Sequence, residues 1–276
     1  MNTIETSARE AAARFRADND LGIAPIADVV ALIAQAQDVD VTVLDVADTD
    51  EHGLTMVDPE RGATVVAVAC SENPMRWRST LAHELGHLIF EDHNLGDPGR
   101  LAANTPVEER ARAFARHLLL PMEAVERFVA HAGIRDLSAL SDLAQRFQVS
   151  PAIAAIQLRD AGHIDDARFE EWQRLYTPTL ASRFGWTDQY RALQGESRQR
   201  RPPQRLLARA VSGYLAGVVS IETLASIRGV SVEVLTVEFD EAGIVPPEHP
   251  QPMGTAPDVD LDDAGEFVDL SWFDDE

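Results

Sequence analysis

The chain has 276 residues and a mass of 30.3 kDa, with 45% hydrophobic and 25% charged residues. That balance is globular and excludes a collagen-like, low-complexity or wholly disordered polypeptide, and the length suffices for one large domain or two modest ones without disulfides or a structural metal. Its 24 basic residues, all arginine, face 46 acids for a net charge of -22. A field this negative repels phosphate backbones and anionic lipid and attracts a basic partner, so no direct nucleic-acid or membrane contact is expected. No apolar run approaches the roughly 18 residues that cross a bilayer, and the first residues, Met1 to Phe15, lack the apolar core of an export signal. The single cysteine, Cys70, can form neither an internal disulfide nor a thiolate cage. The expected location is therefore the cytoplasm, and any metal must be held by histidine and carboxylate.

In chain order, Ile4 to about Gln37 reads as two helices, with Ala8, Ala11, Ala12 and Phe15 at helical spacing and a break at Ile23 to Pro25. Three β-rich runs follow at Val39 to Val46, Gly53 to Val57 and Ala63 to Ala69, the last two joined by the turn chemistry of Asp58 to Gly62. They predict a small antiparallel sheet. Asn73 and Pro74 then supply an N-cap and first-turn pair for a core helix over about 74–91, its apolar face marked by Trp77, Leu81, Leu85, Leu88 and Ile89. A looser stretch separates it from a second helix that Pro106 opens and Pro121 closes. Beyond Met122 the text is helical.

An internal echo recurs at an offset of 81 residues: Leu143, Ala144, Val149, Ser150, Ile153, Ala161 and Gly162 return as Leu224, Ala225, Val230, Ser231, Val234, Ala242 and Gly243. Each copy reads as a helix-turn-helix. Their second helices offer Arg159 alone in one copy and Glu233, Glu238, Asp240 and Glu241 in the other, so packing units are favoured over DNA readers. Between them, Arg198 to Arg205 is the chain's basic concentration and reads as a solvated linker. The expected organisation is a zincin-like domain at 1–130, helix-turn-helix-like modules at 131–175 and 176–253 with the basic linker at 196–205, and an acidic, disordered tail at 254–276 with nine acids and no base. The fold class is α+β and mostly helical: a small three-stranded sheet on a His-Glu-x-x-His helix, then helical modules.

The strongest chemical signal is His83-Glu84-Leu85-Gly86-His87. Positions i and i+4 of a helix lie about 6 Å apart on one face, so both imidazoles can bind one metal. Glu84 sits beside the first ligand, where a carboxylate can act as general base. For the third ligand, His93 has the metzincin spacing of six residues after His87, but Phe90 stands where that signature turns on glycine. The alternative is a carboxylate after Pro106. Ala111, Phe114, Ala115, Leu118 and Leu119 mark that helix's buried face; Glu108 borders it, whereas Glu109 shares the opposite flank with Arg112 and Arg116. The spacing selects Glu108, leaving His93 as a possible accessory residue.

The segment Arg76-x-Arg78-Ser79-Thr80-Leu81-Ala82-His83-Glu84-Leu85-Gly86-His87-Leu88, followed by Glu108-Glu109-x-Ala111-x-x-Phe114-Ala115-x-x-Leu118-Leu119-Leu120-Pro121, resembles the ImmA/IrrE family of bacterial metallopeptidases. The likeness is strong from about Ala11 to Met122. It implies Zn2+ held by His83, His87 and Glu108, with Glu84 as catalytic base, in a gluzincin-like zinc endopeptidase. It further implies a helix-turn-helix repressor as substrate, whose cleavage relieves repression in stress response or mobile-element regulation. Arg112, where the family often has asparagine, and the acidic tail depart from the pattern. A reading of a different class is a non-enzymatic acidic regulator that sequesters a DNA-binding repressor stoichiometrically. The strand Ala63 to Ala69 is expected to offer an edge to an extended peptide.

Overall fold

The computed structural model describes residues 3–46, 53–57, 64–92, 105–133 and 136–245. The turn at 58–62, His93 and the acidic tail lie outside them. The chain divides into two compact units at 206/207.

In the first unit, α1 (Thr3–Asp18) and α2 (Val29–Gln37) precede β1 (Asp40–Leu44), β2 (Gly53–Val57) and β3 (Thr64–Ala69). The expected antiparallel sheet is mixed: its order is β1-β3-β2, with β1 parallel and β2 antiparallel to β3. The last strand enters between the first two. The near-continuous apolar text of β3, with Val66, Ala67 and Val68 all buried, suits a strand flanked on both sides. β3 therefore offers no edge to a peptide, contrary to expectation; β2 is an outer strand on one side and β1 on the other.

Behind the sheet run α3 (Pro74–Phe90) and α4 (Pro106–Leu119). Asn73 Oδ1 accepts from the Arg76 N–H at 3.1 Å, and Thr105 Oγ1 accepts from the Glu108 N–H at 3.3 Å, so each helix starts on a side-chain cap followed by proline at its first position. α1 packs against α4, with Phe15 edge-on to Phe114 at 6.4 Å.

Two buried arginines tie the α1–α2 connection to these helices. Arg16 donates to the carbonyls of Gly22, Leu118 and Ala24, and Arg78 to those of Ala27 and Ile26. Burial depresses both guanidinium pKa values to about 10, with the charges of Asp28 and Glu196 opposing it at Arg78. Both nevertheless stay charged at neutral pH, and their planar forks satisfy carbonyls that a helix-free loop cannot pair.

The rest of the unit is helical: α5 (Met122–Ala132), α6 (Leu137–Phe147), α7 (Pro151–Asp160), α8 (Asp166–Trp172), α9 (Thr177–Phe184) and α10 (Thr187–Ser197). The second unit takes in α11 (Gln204–Leu215) from Leu207 onward, α12 (Ile221–Arg228) and α13 (Val232–Glu241), around Ala210, Leu224, Ala225, Leu235 and Phe239. The echo at offset 81 is structural as well. Gln148 and Gly229 both turn with positive φ (53° and 68°), Ser150 and Ser231 cap the next helix, and Gly162 and Gly243 follow it with φ of 76° and 67°. In the first copy α7 is wedged in the core: Gln157 is fully buried and donates to Leu120 O at 2.5 Å. A helix so enclosed cannot enter a DNA groove.

The basic run also differs from a solvated linker. Arg201 exchanges backbone hydrogen bonds with Val43 of β1 (2.8 and 3.1 Å), Ser197 O accepts from the Ser71 N–H, and Arg198, Arg201 and Arg205 pair with Glu72, Asp28 and Asp38. The acids that recruit it lie more than a hundred residues upstream, so no local pattern announces the contact. Among the described residues no helix is long and apolar enough to cross a membrane.

A polar knot stitches α1, α4 and α7 together. Glu5 Oε1 accepts from Arg116 Nη2 and His117 Nε2, each at 2.6 Å, and His117 Nδ1 lies 3.2 Å from the Gln157 amide nitrogen. With the amide as donor, His117 is the Nε2–H tautomer. The His117 hydrogen bond, aided by Arg116 and opposed by burial, lowers the Glu5 pKa from 4.5 to about 2. The resulting stabilisation is complete above the unfolded value and is lost as pH falls through the folded one. Glu5→Gln should cost about 1–3 kcal/mol at pH 7. In urea titrations the gap between wild type and variant should close between pH 4.5 and 2; a gap that stays constant would refute the assignment.

Candidate metal centre

α3 presents His83 and His87 one turn apart, and α4 presents Glu108 from its first turn. His83 Nε2 and His87 Nε2 are 3.1 Å apart, Glu108 Oε2 is 3.0 Å from His83 Nε2, and Glu108 Oε1 is 3.3 Å from His87 Nε2. The rings are nearly perpendicular, at 84°. Glu108 is buried and Glu109 exposed, as the helical periodicity requires.

This donor set suits a cation. Ligands held tetrahedrally at about 2.0–2.1 Å from a metal lie about 3.3–3.4 Å from one another. The three separations, 3.0–3.3 Å, are close to that. Glu108 Oε2, 3.0 Å from His83 Nε2, is buried and is matched by no well-formed hydrogen bond. Two imidazole nitrogens and a carboxylate converging with a buried oxygen that accepts no hydrogen bond suit a positive charge between them. Among the described residues, His83, His87 and Glu108 form the one such cluster, and it can hold a metal ion.

The α3–α4 seam makes the convergence possible at Gly86. A Cβ there would stand 3.2 Å from both Ala111 Cα and Phe114 Cδ1. Glycine inside a helix costs about 1 kcal/mol relative to alanine, so its place here is explained by the close backbone approach that carries Glu108 to the histidines.

Glu84, almost wholly buried, turns toward the sheet. Its Oε2 accepts from Thr55 Oγ1 of β2 at 2.8 Å, and a Cβ on Gly53 would come within 2.7 Å of its Oε1. Burial raises the Glu84 pKa above the ordinary carboxylate range, with Glu108 adding to it and the Thr55 hydrogen bond and both histidines opposing. Glu108 moves down: burial resists, but His83, His87 and Arg112 favour its charged form. The His87 pKa is raised; burial is the largest influence and acts downward, but Asp92, Glu84 and Glu108 together outweigh it. Asp92 Oδ1 sits 2.8 Å from His87 Nδ1, and its Oδ2 accepts from Arg110 Nη2 at 2.6 Å.

Of the residues singled out in the sequence, His83, His87 and Glu108 come together and Glu84 lies buried beside them; Thr55, Asp92 and Arg110, which contact Glu84 or His87 or support those contacts, were not among them. Thr55 carried a faint signal as an inward polar residue in a strand. Asp92 lies beyond the helix and off its periodicity, so sequence spacing gave none. His93 lies outside the described residues.

Residues 34–159 match the family model of the peptidase family M78, described as the IrrE N-terminal-like domain. This segment is similar to an IrrE N-terminal-like peptidase domain. It begins within α2 and ends in α7, so the matched segment takes in the sheet, both site helices and most of the first copy of the repeat. No curated protein matches the chain.

Gly86→Ala should lower stability by about 1 kcal/mol or more, overpacking at the seam outweighing its gain in helix propensity. Urea denaturation measures this; a stabilised variant would mean that the seam is slack.

Proposed function

We propose that the chain is a zinc-dependent endopeptidase whose metal is held by His83, His87 and Glu108 and whose general base is Glu84. The observation that carries the reading is the convergence of two imidazole nitrogens and a desolvated carboxylate at 3.0–3.3 Å in a peptidase domain, beside a second buried carboxylate. When bound, zinc supplies Lewis-acid polarisation of a carbonyl and brings the pKa of water toward about 7.

The chain's own residues do the rest. Glu84, with its proton affinity raised by burial, takes the proton of the attacking water and returns it to the departing amide nitrogen. Thr55 Oγ1 donates to one carboxylate oxygen, which fixes the side chain and leaves the other to handle the proton. Gly53 leaves the space that carboxylate occupies. β2, an outer strand bearing both residues, is the natural place for an extended substrate segment to add by backbone pairing.

The substrate is a protein, and a helix-turn-helix repressor is the class favoured by charge: a basic DNA-binding protein is drawn to a chain of net charge -22. Cytoplasmic action and derepression in stress response or mobile-element control follow from that choice.

Recombinant protein should carry about one zinc per chain. His83→Ala and Glu108→Ala should lose it. Incubated with a helix-turn-helix repressor encoded beside it, the wild type should yield fragments, and Glu84→Gln should cut about 100- to 10,000-fold more slowly while keeping its zinc. Equal cutting by Glu84→Gln would remove the assigned base. Repressor released from DNA at full length would indicate stoichiometric capture instead.

A further inference from the structure

The end of α3 does more than stop a helix. Glu91 adopts a left-handed conformation (φ 54°), and its N–H bonds back to the carbonyls of His87 and Leu88. The Asp92 N–H follows at 3.2 Å from His87 O. This reversal brings the Asp92 carboxylate onto the His87 ring, where Oδ1 meets Nδ1 at 2.8 Å. From α4, Arg110 reaches the other carboxylate oxygen at 2.6 Å. Its guanidinium lies over the Phe90 ring at 4.2 Å, and Phe90 in turn stands edge-on to Phe114 at 5.8 Å. Phe90 thus serves as the platform for the arginine, a use that a glycine there could not supply.

We propose that Asp92 and Arg110 are a positioning pair that sets His87 as a ligand, with Asp92 holding the ring by its Nδ1–H and Arg110 holding the Asp92 carboxylate in place. A proton fixed on Nδ1 leaves the lone pair on Nε2, which is the atom that faces His83 and Glu108. The opposite tautomer would aim an N–H into the donor set and abolish ligation. The side chains of His87 and Asp92 are 7% and 14% exposed, so water competes poorly for this hydrogen bond. Arg110 lies two residues after Glu108 on the same helix. One turn of α4 thereby supplies a ligand and also anchors the group that orients another. Neither residue touches the reacting atoms.

The proposal rests on the metal-site reading above, and its test separates the two. Zinc affinity is measured by competition with a chromophoric chelator for the full-length wild type, Asp92→Ala, Asp92→Asn and Arg110→Gln, with circular dichroism confirming the fold. Asp92→Ala and Asp92→Asn should bind zinc about 10- to 100-fold more weakly, and Arg110→Gln should fall between them and the wild type. Histidine 15N NMR on metal-free protein reads the tautomer directly: His87 should be Nδ1–H in the wild type and lose that preference in Asp92→Ala. Zinc affinities within twofold across the series, or a wild-type His87 protonated on Nε2, would overturn the proposal. A wild type that binds no zinc but keeps His87 as Nδ1–H would instead sink the metallopeptidase reading and leave the positioning pair standing.

Discussion

The molecule's chemistry depends on one costly placement: a carboxylate, Glu108, drawn out of water between two imidazoles. Left alone, such a group would be neutralised or would pull the structure open. It is tolerated because α3 and α4 approach closely at Gly86, because Thr105 and Pro106 fix where α4 begins, and because the two imidazoles beside it form a cluster with it that can hold a cation. The α1–α4 contact, the aromatic contacts of Phe114 and the Glu5 knot all bear on the helix that carries this residue. Rigidity far from the site is thus spent on holding one side chain.

What could be read in advance followed the range of the interaction. Periodicity placed His83 and His87 on one face and separated Glu108 from Glu109, because those relations hold within a helix. The cap of α3 was equally visible as an Asn-Pro pair, and the start of α4 as Pro106. Strand order was not: that β3 lies in the middle depends on where β1 returns, which pairing preferences alone do not decide. Asp92 was hidden because a left-handed residue, Glu91, breaks the helical phase just before it. Arg110 reads as one more surface arginine until the fold brings Phe90 beneath it.

The absence of lysine has a structural counterpart. Arg16 and Arg78 each bond to two or three backbone carbonyls at once, and Arg116 and Arg110 each bridge a carboxylate to another element. A single ammonium could not match these forked geometries. The chain uses guanidinium groups as internal fasteners for segments that lack regular hydrogen-bond partners.

The stapling of 197–205 along β1 bears on how the protein can be dissected. A fragment ending at residue 159, where the family match stops, would leave the outer strand bare and strip Asp28, Asp38 and Glu72 of their counterions. An uncovered strand of this kind invites self-association between molecules. A piece that keeps the outer strand covered therefore runs to about residue 206, beyond the end of the family match.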